Sequence, residues 1–268
     1  MENERVVRWE VDAARAEVTA FDLWDHGATA VEIRDAGAVT TLVASFPTTA
    51  AAESVARQLG AVIEAVDPAW SDAWKAHAAP VDVAGSLVVA PAWRPVPVGD
   101  GRLVLEIDPG RCFGSGSHPS TRLVLGLLVA QSLAGHLLDV GTGSGILAVA
   151  AARLGAATVT AVDVEPEAVE VARRNAARNG VEARVHPSLR PVEEAGGPFD
   201  GALVNVTAGV HAVLGAAVVR AVRPGGRLYL AGLLPGQWEH VAGAYAGCRL
   251  LERPVLDGWV GAVLERGG

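Results

Sequence analysis

Glycines 141, 143 and 145 lie within Leu138-Asp139-Val140-Gly141-Thr142-Gly143-Ser144-Gly145-Ile146-Leu147, a spacing that lets backbone rather than side chain face a ligand. Glycine removes the Cβ where a turn must tighten and leaves amide N–H groups open to polar groups. An apolar run precedes these glycines and a helical pattern follows, so the stretch reads as strand, glycine turn and helix start. The G-x-G-x-G order after an acidic residue departs from the G-x-G-x-x-G of dinucleotide binders, whose third glycine lets the helix approach the sheet. That difference favours S-adenosylmethionine over a nicotinamide dinucleotide as ligand. Taken alone, the turn also fits a tight strand-to-helix connection that binds nothing.

Two later residues enlarge the constellation. Thr158-Val159-Thr160-Ala161-Val162-Asp163 reads as the next buried parallel strand, with Asp163 at its carboxyl end. In a doubly wound sheet ligands lie beyond the carboxyl ends of the strands, and an acidic residue there can accept both ribose hydroxyls of an adenosine. Asn205 is the first polar residue at the carboxyl end of Phe199-Asp200-Gly201-Ala202-Leu203-Val204, opposite the expected reactive end of the cofactor. An amide there offers both an acceptor oxygen and donor hydrogens to whatever lies at that end. The competing role for Asn205 is a cap for the helix that begins near His211.

A third dense stretch is Asp108-Pro109-Gly110-Arg111-Cys112-Phe113-Gly114-Ser115-Gly116-Ser117-His118-Pro119-Ser120-Thr121. Its glycines and hydroxyls cannot build a core element, yet Phe113 and His118 are unusual in a simple linker. It runs into a helical pattern at Thr121, so it ends where free amides gather. A ligand-covering loop is one reading and a glycine-rich connector the other. For His118, bracing the loop is preferred to relaying a proton.

The elements that must position these residues alternate between strand and helix. Helices are expected from Thr121 to about Leu133, Ile146 to Leu154 and Pro166 to Arg178, and strands at Val181 to Val185, Pro198 to Asn205, Arg227 to Ala231, Leu250-Leu251 and Trp259 to Leu264. Together they predict an α/β, doubly wound, largely parallel sheet over residues 83–268. The stretches Leu87 to Ala90 and Leu103 to Ile107 are expected to form a hairpin at its edge. Residues 1–67 show the order β-α-β-β-α-β of a small ferredoxin-like α+β domain: Val6 to Val11, Ala13 to Trp24, Ala30 to Ile33, Val39 to Ser45, a helix capped by Thr48 or Thr49, and Ala61 to Val66. Asp35-Ala36-Gly37 supplies its hairpin turn, and residues 68–82, with Trp70 and Trp74, form the linker.

Half of the 268 residues are hydrophobic, 19% are charged and the net charge is −8, which disfavours direct nucleic-acid binding and suits a basic protein partner. No basic segment followed by an apolar core opens the chain and no apolar run approaches a membrane span, so a cytoplasmic protein is expected. Cys112 and Cys248 suggest neither a disulfide framework nor a metal site.

The residues Asp108-Pro109-Gly110 and Phe113 to Thr121, followed in order by the Gly141 turn, Asp163 and Asn205-Val206-Thr207-Ala208, resemble the PrmA-type protein methyltransferases. Pro91-Ala92-Trp93-Arg94 and the linker tryptophans also fall in that family's order. The resemblance implies a class I S-adenosylmethionine-dependent methyltransferase fold and S-adenosyl-L-methionine as cofactor. It implies methylation of lysine side-chain or N-terminal amines on the eleventh protein of the large ribosomal subunit, so Asn205, whose side-chain carbonyl can accept an N–H from a neutral amine, is the expected catalytic residue orienting the acceptor nitrogen. A monomer is expected. It further implies that Thr121, Gly141, Asp163 and Asn205 line the cofactor site, with Gly143, Phe113 and His118 beside it. Departures include serines where the family usually has threonines in the Phe113 loop, and a short, alanine-rich N-terminal domain, the part that holds the substrate protein in that family. The rival readings are a methyltransferase of the same fold acting on another protein lysine or a small-molecule amine, and a cofactor-binding module without turnover.

Overall fold

A computed structural model of the chain describes residues 5–12, 15–16, 19–20, 23, 26–28, 30–35, 40–46, 48–65, 75, 78–94, 96, 101–131 and 133–268. It divides into two compact units, Met1–Ala78 and Ala79–Gly268.

In the first unit β1 (Arg5–Val11), β2 (Ala30–Asp35), β3 (Thr40–Phe46) and β4 (Val62–Ala65) form an antiparallel sheet in the order β2-β3-β1-β4. Helix α1 (Thr49–Leu59) begins where the Thr48 side chain accepts the Ala51 N–H at 3.2 Å, and it ends at Gly60 in the left-handed region, φ 65°. Its buried Ala52, Val55 and Ala56 pack with Val7, Leu42, Ala44 and Phe46. The helix expected from Ala13 to Trp24 lies partly outside the described residues, and the Ala36-Gly37 turn, Trp70 and Trp74 lie outside them altogether.

The second unit opens with β5 (Val81–Val83), β6 (Leu87–Pro91) and β7 (Leu103–Ile107), a three-stranded sheet whose first strand lies partly within the stretch read as linker. β5 and β6 are antiparallel, but β6 and β7 are parallel, with Leu87 opposite Leu103. This corrects the expected hairpin. The intervening segment crosses back to the starting end, where the Leu103 N–H donates to Ser86 O at 2.9 Å, and parallel pairing requires such a long return.

The large sheet contains β8 (His136–Val140), β9 (Thr158–Val162), β10 (Val185–Ser188), β11 (Phe199–Asn205), β12 (Val222–Leu233), β13 (Cys248–Glu252), β14 (Val255–Leu256) and β15 (Trp259–Arg266). Its order is β10-β9-β8-β11-β12-β15-β13, with β14 added to β15; the first five strands are parallel and β15 runs against both its neighbours β12 and β13. The helices are α2 (Pro119–Val129), α3 (Ile146–Arg153), α4 (Pro166–Arg178), α5 (Ala208–Ala221) and the short α6 (Trp238–Val241). Leu125 and Leu128 of α2 and Leu147 of α3 fill one core with Leu137, Leu203 and Tyr229 of the sheet. Ala217 and Val218 of α5 share a second core with Leu138, Val204 and Leu230. Adjacent residues of β8, β11 and β12 thus supply opposite cores, as a strand's twofold alternation requires.

Three boundaries differ from expectation. Helix α2 ends at Val129 rather than near Leu133, where the Ala130 N–H closes back on Gly126 O. The third parallel strand starts at Val185, because the Arg184 and Val185 N–H groups both fold back onto Val181 O in a turn. The strand expected from Arg227 begins earlier, at Val222, and Arg223 to Gly226 form a four-residue excursion within β12, between the pairs Phe199↔Val222 and Gly201↔Arg227. Among the described residues no helix is long and apolar enough to cross a membrane, and no cluster of His, Cys, Asp or Glu could hold a metal ion.

Candidate active site

The glycine turn sits between β8 and α3. Gly141, Gly143 and Gly145 all have positive φ, 66°, 52° and 79°, so the turn is a run of left-handed bends that side chains oppose. Space is also lacking: a Cβ on Gly145 would stand 2.8 Å from Ala172 Cβ and 2.9 Å from its Cα, on helix α4. Gly145→Ala is therefore expected to cost about 2–4 kcal/mol of stability, read as a lowered denaturant midpoint at unchanged slope.

Asp163 follows β9 directly and accepts the Gly143 N–H at 2.9 Å through Oδ2 and the Glu165 N–H at 3.0 Å through Oδ1. A carboxylate has about four acceptor sites, so both oxygens retain capacity for further donors. Asp139, beneath the turn, accepts the Thr142 hydroxyl at 2.6 Å through Oδ2, while its buried Oδ1 has no partner in hydrogen-bonding geometry. Burial pushes the Asp139 carboxyl up from 3.8 to about 7, opposed in part by the Thr142 bond and reinforced by the Asp163 charge.

The stretch from Asp108 to His118 is fastened to the turn by its backbone. The Ser144 N–H donates to Phe113 O at 3.0 Å and the Ser144 hydroxyl donates to Gly114 O at 2.6 Å. A Cβ on Gly143 would stand 2.7 Å from Phe113 O, so that glycine is needed for the loop as much as for a ligand. His118 caps α2, its Nδ1 accepting the Ser120 N–H at 3.2 Å. Its ring lies edge-on between Phe113 (5.1 Å) and Trp259 of β15 (4.5 Å). Burial lowers the His118 imidazole from 6.5 to about 4, so it is neutral at pH 7 and a poor proton relay. Bracing, the preferred reading, agrees with this geometry.

Asn205 ends β11 and does not cap α5, whose N-cap is Thr207. Its Nδ2 donates to Oγ1 of Thr121, in the first turn of α2, at 3.3 Å, and among the described residues its Oδ1 has no protein partner. Thr121 is fully buried. A Cβ on Gly141 would meet Val206 at 2.6 Å, which places the Asn205 segment against the glycine turn. Thr121, Gly141, Gly143, Asp163 and Asn205 thus gather at the carboxyl ends of β8, β9 and β11, with the loop of Phe113 and His118 tied to the same turn.

Four residues escaped the sequence reading. Ser144 was one unremarked position of the turn, yet it carries the loop. Asn175 of α4 and Asn179 at its C-cap are buried, and their four-residue spacing in line with the apolar stripe Ala168, Val171, Ala172 and Ala176 was the available signal. His211, read as a helix-start residue, is completely buried: its Nε2 lies 2.8 Å from Ala231 O and its Nδ1 2.6 Å from the Tyr245 hydroxyl. The carbonyl can only accept, so Nε2 carries the proton and Nδ1 accepts from Tyr245. Burial pulls His211 from 6.5 to about 4, against the raising effect of the Ala231 bond.

These shifts carry a sign. The unfolded chain binds more protons than the fold at His118 and His211, so their stabilising contribution is present above 6.5 and is lost as pH falls toward about 4. Asp139 acts oppositely: its contribution is present below 3.8 and is lost as pH rises toward about 7. His211→Gln, unable to titrate, is expected to be less stable at neutral pH yet to show a shallower stability loss between about pH 6.5 and 4, followed by urea unfolding across pH.

A parallel sheet with one reversed strand, a glycine turn, and an acid and an amide beyond the strand ends define the class I S-adenosylmethionine-dependent methyltransferase fold. The sequence profile of the family "Ribosomal protein L11 methyltransferase (PrmA)" matches residues 39–266, and the chain belongs to that family. It is 42% identical over 181 residues to the ribosomal protein L11 methyltransferase of Geobacter metallireducens, covering 68% of this chain and 60% of the relative. A second relative of that name, from Symbiobacterium thermophilum, is 43% identical over 219 residues, 76% of this chain and 70% of the other. The crystal structure of the ribosomal protein L11 methylase of Lactobacillus delbrueckii subsp. bulgaricus matches with TM-score 0.63 at 26% identity, covering 70% of this chain and 98% of that one.

Proposed function

We propose that the protein is an S-adenosylmethionine-dependent protein N-methyltransferase whose acceptors are lysine side-chain or N-terminal amines of ribosomal protein L11, and that it acts in the cytoplasm. The observation that carries the reading is the Asn205 amide, held by Thr121 at 3.3 Å with its carbonyl oxygen unclaimed by protein, beside a glycine turn bonded to Asp163. The donor set suits this cofactor: a carboxylate for vicinal ribose hydroxyls, a buried orphan oxygen on Asp139 for a cationic group, and a left-handed glycine turn for close approach.

When bound, S-adenosylmethionine supplies a methyl group activated on a sulfonium. Asp163 is the residue that would hold the ribose. Asn205 Oδ1 accepts one N–H of the neutral amine, which turns the nitrogen lone pair toward the methyl group; Thr121 keeps the amide from rotating. The amine arrives having lost a proton, since lysine titrates near about 10.4 and an α-amine near about 8, and the neutral His118 does not take that proton. Phe113, His118 and Trp259 form an aromatic cluster at the start of the helix that carries Thr121. The short first unit, read as ferredoxin-like, is proposed to hold the substrate protein.

Incubation of the purified chain with methyl-labelled S-adenosylmethionine and unmethylated L11 is expected to label L11, with mass spectrometry locating the methyl groups. Absence of label on L11 beside label on another protein would move the assignment to that acceptor, and no label at all would leave a binding module.

A further inference from the structure

Strand β7 lies at the edge of its three-stranded sheet, so the outward backbone groups of Glu106, and of Asp108 just beyond it, need partners from outside the sheet. They find them on a helix. The Glu106 N–H donates to Asn179 Oδ1 at 3.0 Å, and Asn179 Nδ2 returns a bond to Glu106 O at 2.8 Å. The Asp108 N–H donates to Asn175 Oδ1 at 3.0 Å, and Asn175 Nδ2 returns a bond to Asp108 O at 2.9 Å. Four residues of helix rise about 6 Å and two residues of strand advance about 6.6 Å, so asparagines at i and i+4 can stand in for a neighbouring strand along two rungs.

The two rungs are not equivalent. Asn175 Nδ2 also donates to Ser144 O at 2.8 Å, and Arg178 donates to Asn175 Oδ1 at 2.9 Å. All four hydrogen-bonding capacities of this fully buried amide are then used, and the network fixes which way it points. Asn179 spends its other donor on Asn175 O within the helix and makes no bond to the glycine turn. Asn175 alone spans the start of the Phe113 loop and the turn that the loop covers.

We propose that Asn175 is a positioning residue that sets the Asp108 to His118 loop in register with the glycine turn, and so governs cofactor affinity; this rests on the cofactor reading above. In Asn175→Asp the donor to two carbonyl oxygens becomes an acceptor facing them, so the path from Asp108 through residue 175 to Ser144 O is lost while the direct Ser144 bonds to Phe113 O and Gly114 O remain. Calorimetry with S-adenosylmethionine on the full chain is expected to show affinity lowered about tenfold or more, with kcat at saturating cofactor changed less than about threefold. Amide exchange across 109–118 in the unliganded chain is expected to quicken about tenfold. Asn179→Asp, which damages the other rung, is expected to lower Tm comparably while affinity stays within about twofold. Asn175→Ser, which keeps a single short donor, gives the same comparison if the aspartate variant does not fold. Equal affinity losses in the 175 and 179 variants at equal stability loss, or unchanged loop exchange in both 175 variants, would overturn the proposal. If the unmodified chain binds no S-adenosylmethionine, the cofactor reading fails and loop exchange still decides the role of Asn175.

Discussion

Asp163→Ala is expected to weaken S-adenosylmethionine binding about a hundredfold while leaving the chain folded. Two hydrogen bonds from ribose hydroxyls to an ionised acceptor are worth about 3 kcal/mol together when their loss leaves the partners wet, which is about two decades of affinity. The substitution also removes the acceptor of the Gly143 N–H, so the turn relaxes at the point where the ligand would lie. Asp163→Asn keeps an acceptor oxygen and is expected to lose only about tenfold, the weaker neutral bond accounting for the difference. Calorimetric titration of both variants checks the ordering; equal affinity in Asp163→Ala and the unmodified chain would remove Asp163 from the site.

Asn205→Ala should behave in the opposite way. Cofactor affinity is expected within about threefold of the unmodified chain, while kcat with L11 falls about a hundredfold or more, the loss associated with about 1 Å of misplacement in an in-line displacement. Thr121→Val tests the same geometry one step away. It removes the acceptor of the Asn205 amide at 3.3 Å without adding bulk, and is expected to lower kcat about tenfold because the amide is left free to turn. Normal turnover in Asn205→Ala would show that the acceptor nitrogen is oriented by another group.

The parts of this fold that were legible in the sequence are those in which a local pattern and a long-range role coincide. The Gly141 turn, the strand ending before Asp163 and the helix from Pro166 to Arg178 each announce themselves by spacing, because a buried parallel strand or a one-sided helix leaves a period in the chain. The pairing of β6 with β7 was not legible: the two runs look alike in either orientation, and only the route of the connecting segment makes them parallel. Val181 misled for a related reason, since a buried valine in a turn carries the same hydrophobic mark as one in a strand. The site divides along the same line. Asp163 and Asn205 stand at strand ends that the pattern locates, but the ties through Ser144, Asn175 and His211 join residues separated by 20 to 67 positions, and no local period reports them.

Strand β15 carries Trp259 to the ring of His118, and it lies between β12 and β13, both of which precede it in the chain. A ribosome releases these strands in chain order, so the strand that seals the aromatic end of the site emerges after the sheet it must enter. Until then β12 can pair only with β11, β13 has no strand of the sheet to pair with, and the His118 ring lacks one wall. A nascent chain therefore has its glycine turn before Trp259 reaches His118, and the two ends of the large sheet are joined late, when β15 enters beside β12 and β13 pairs with it.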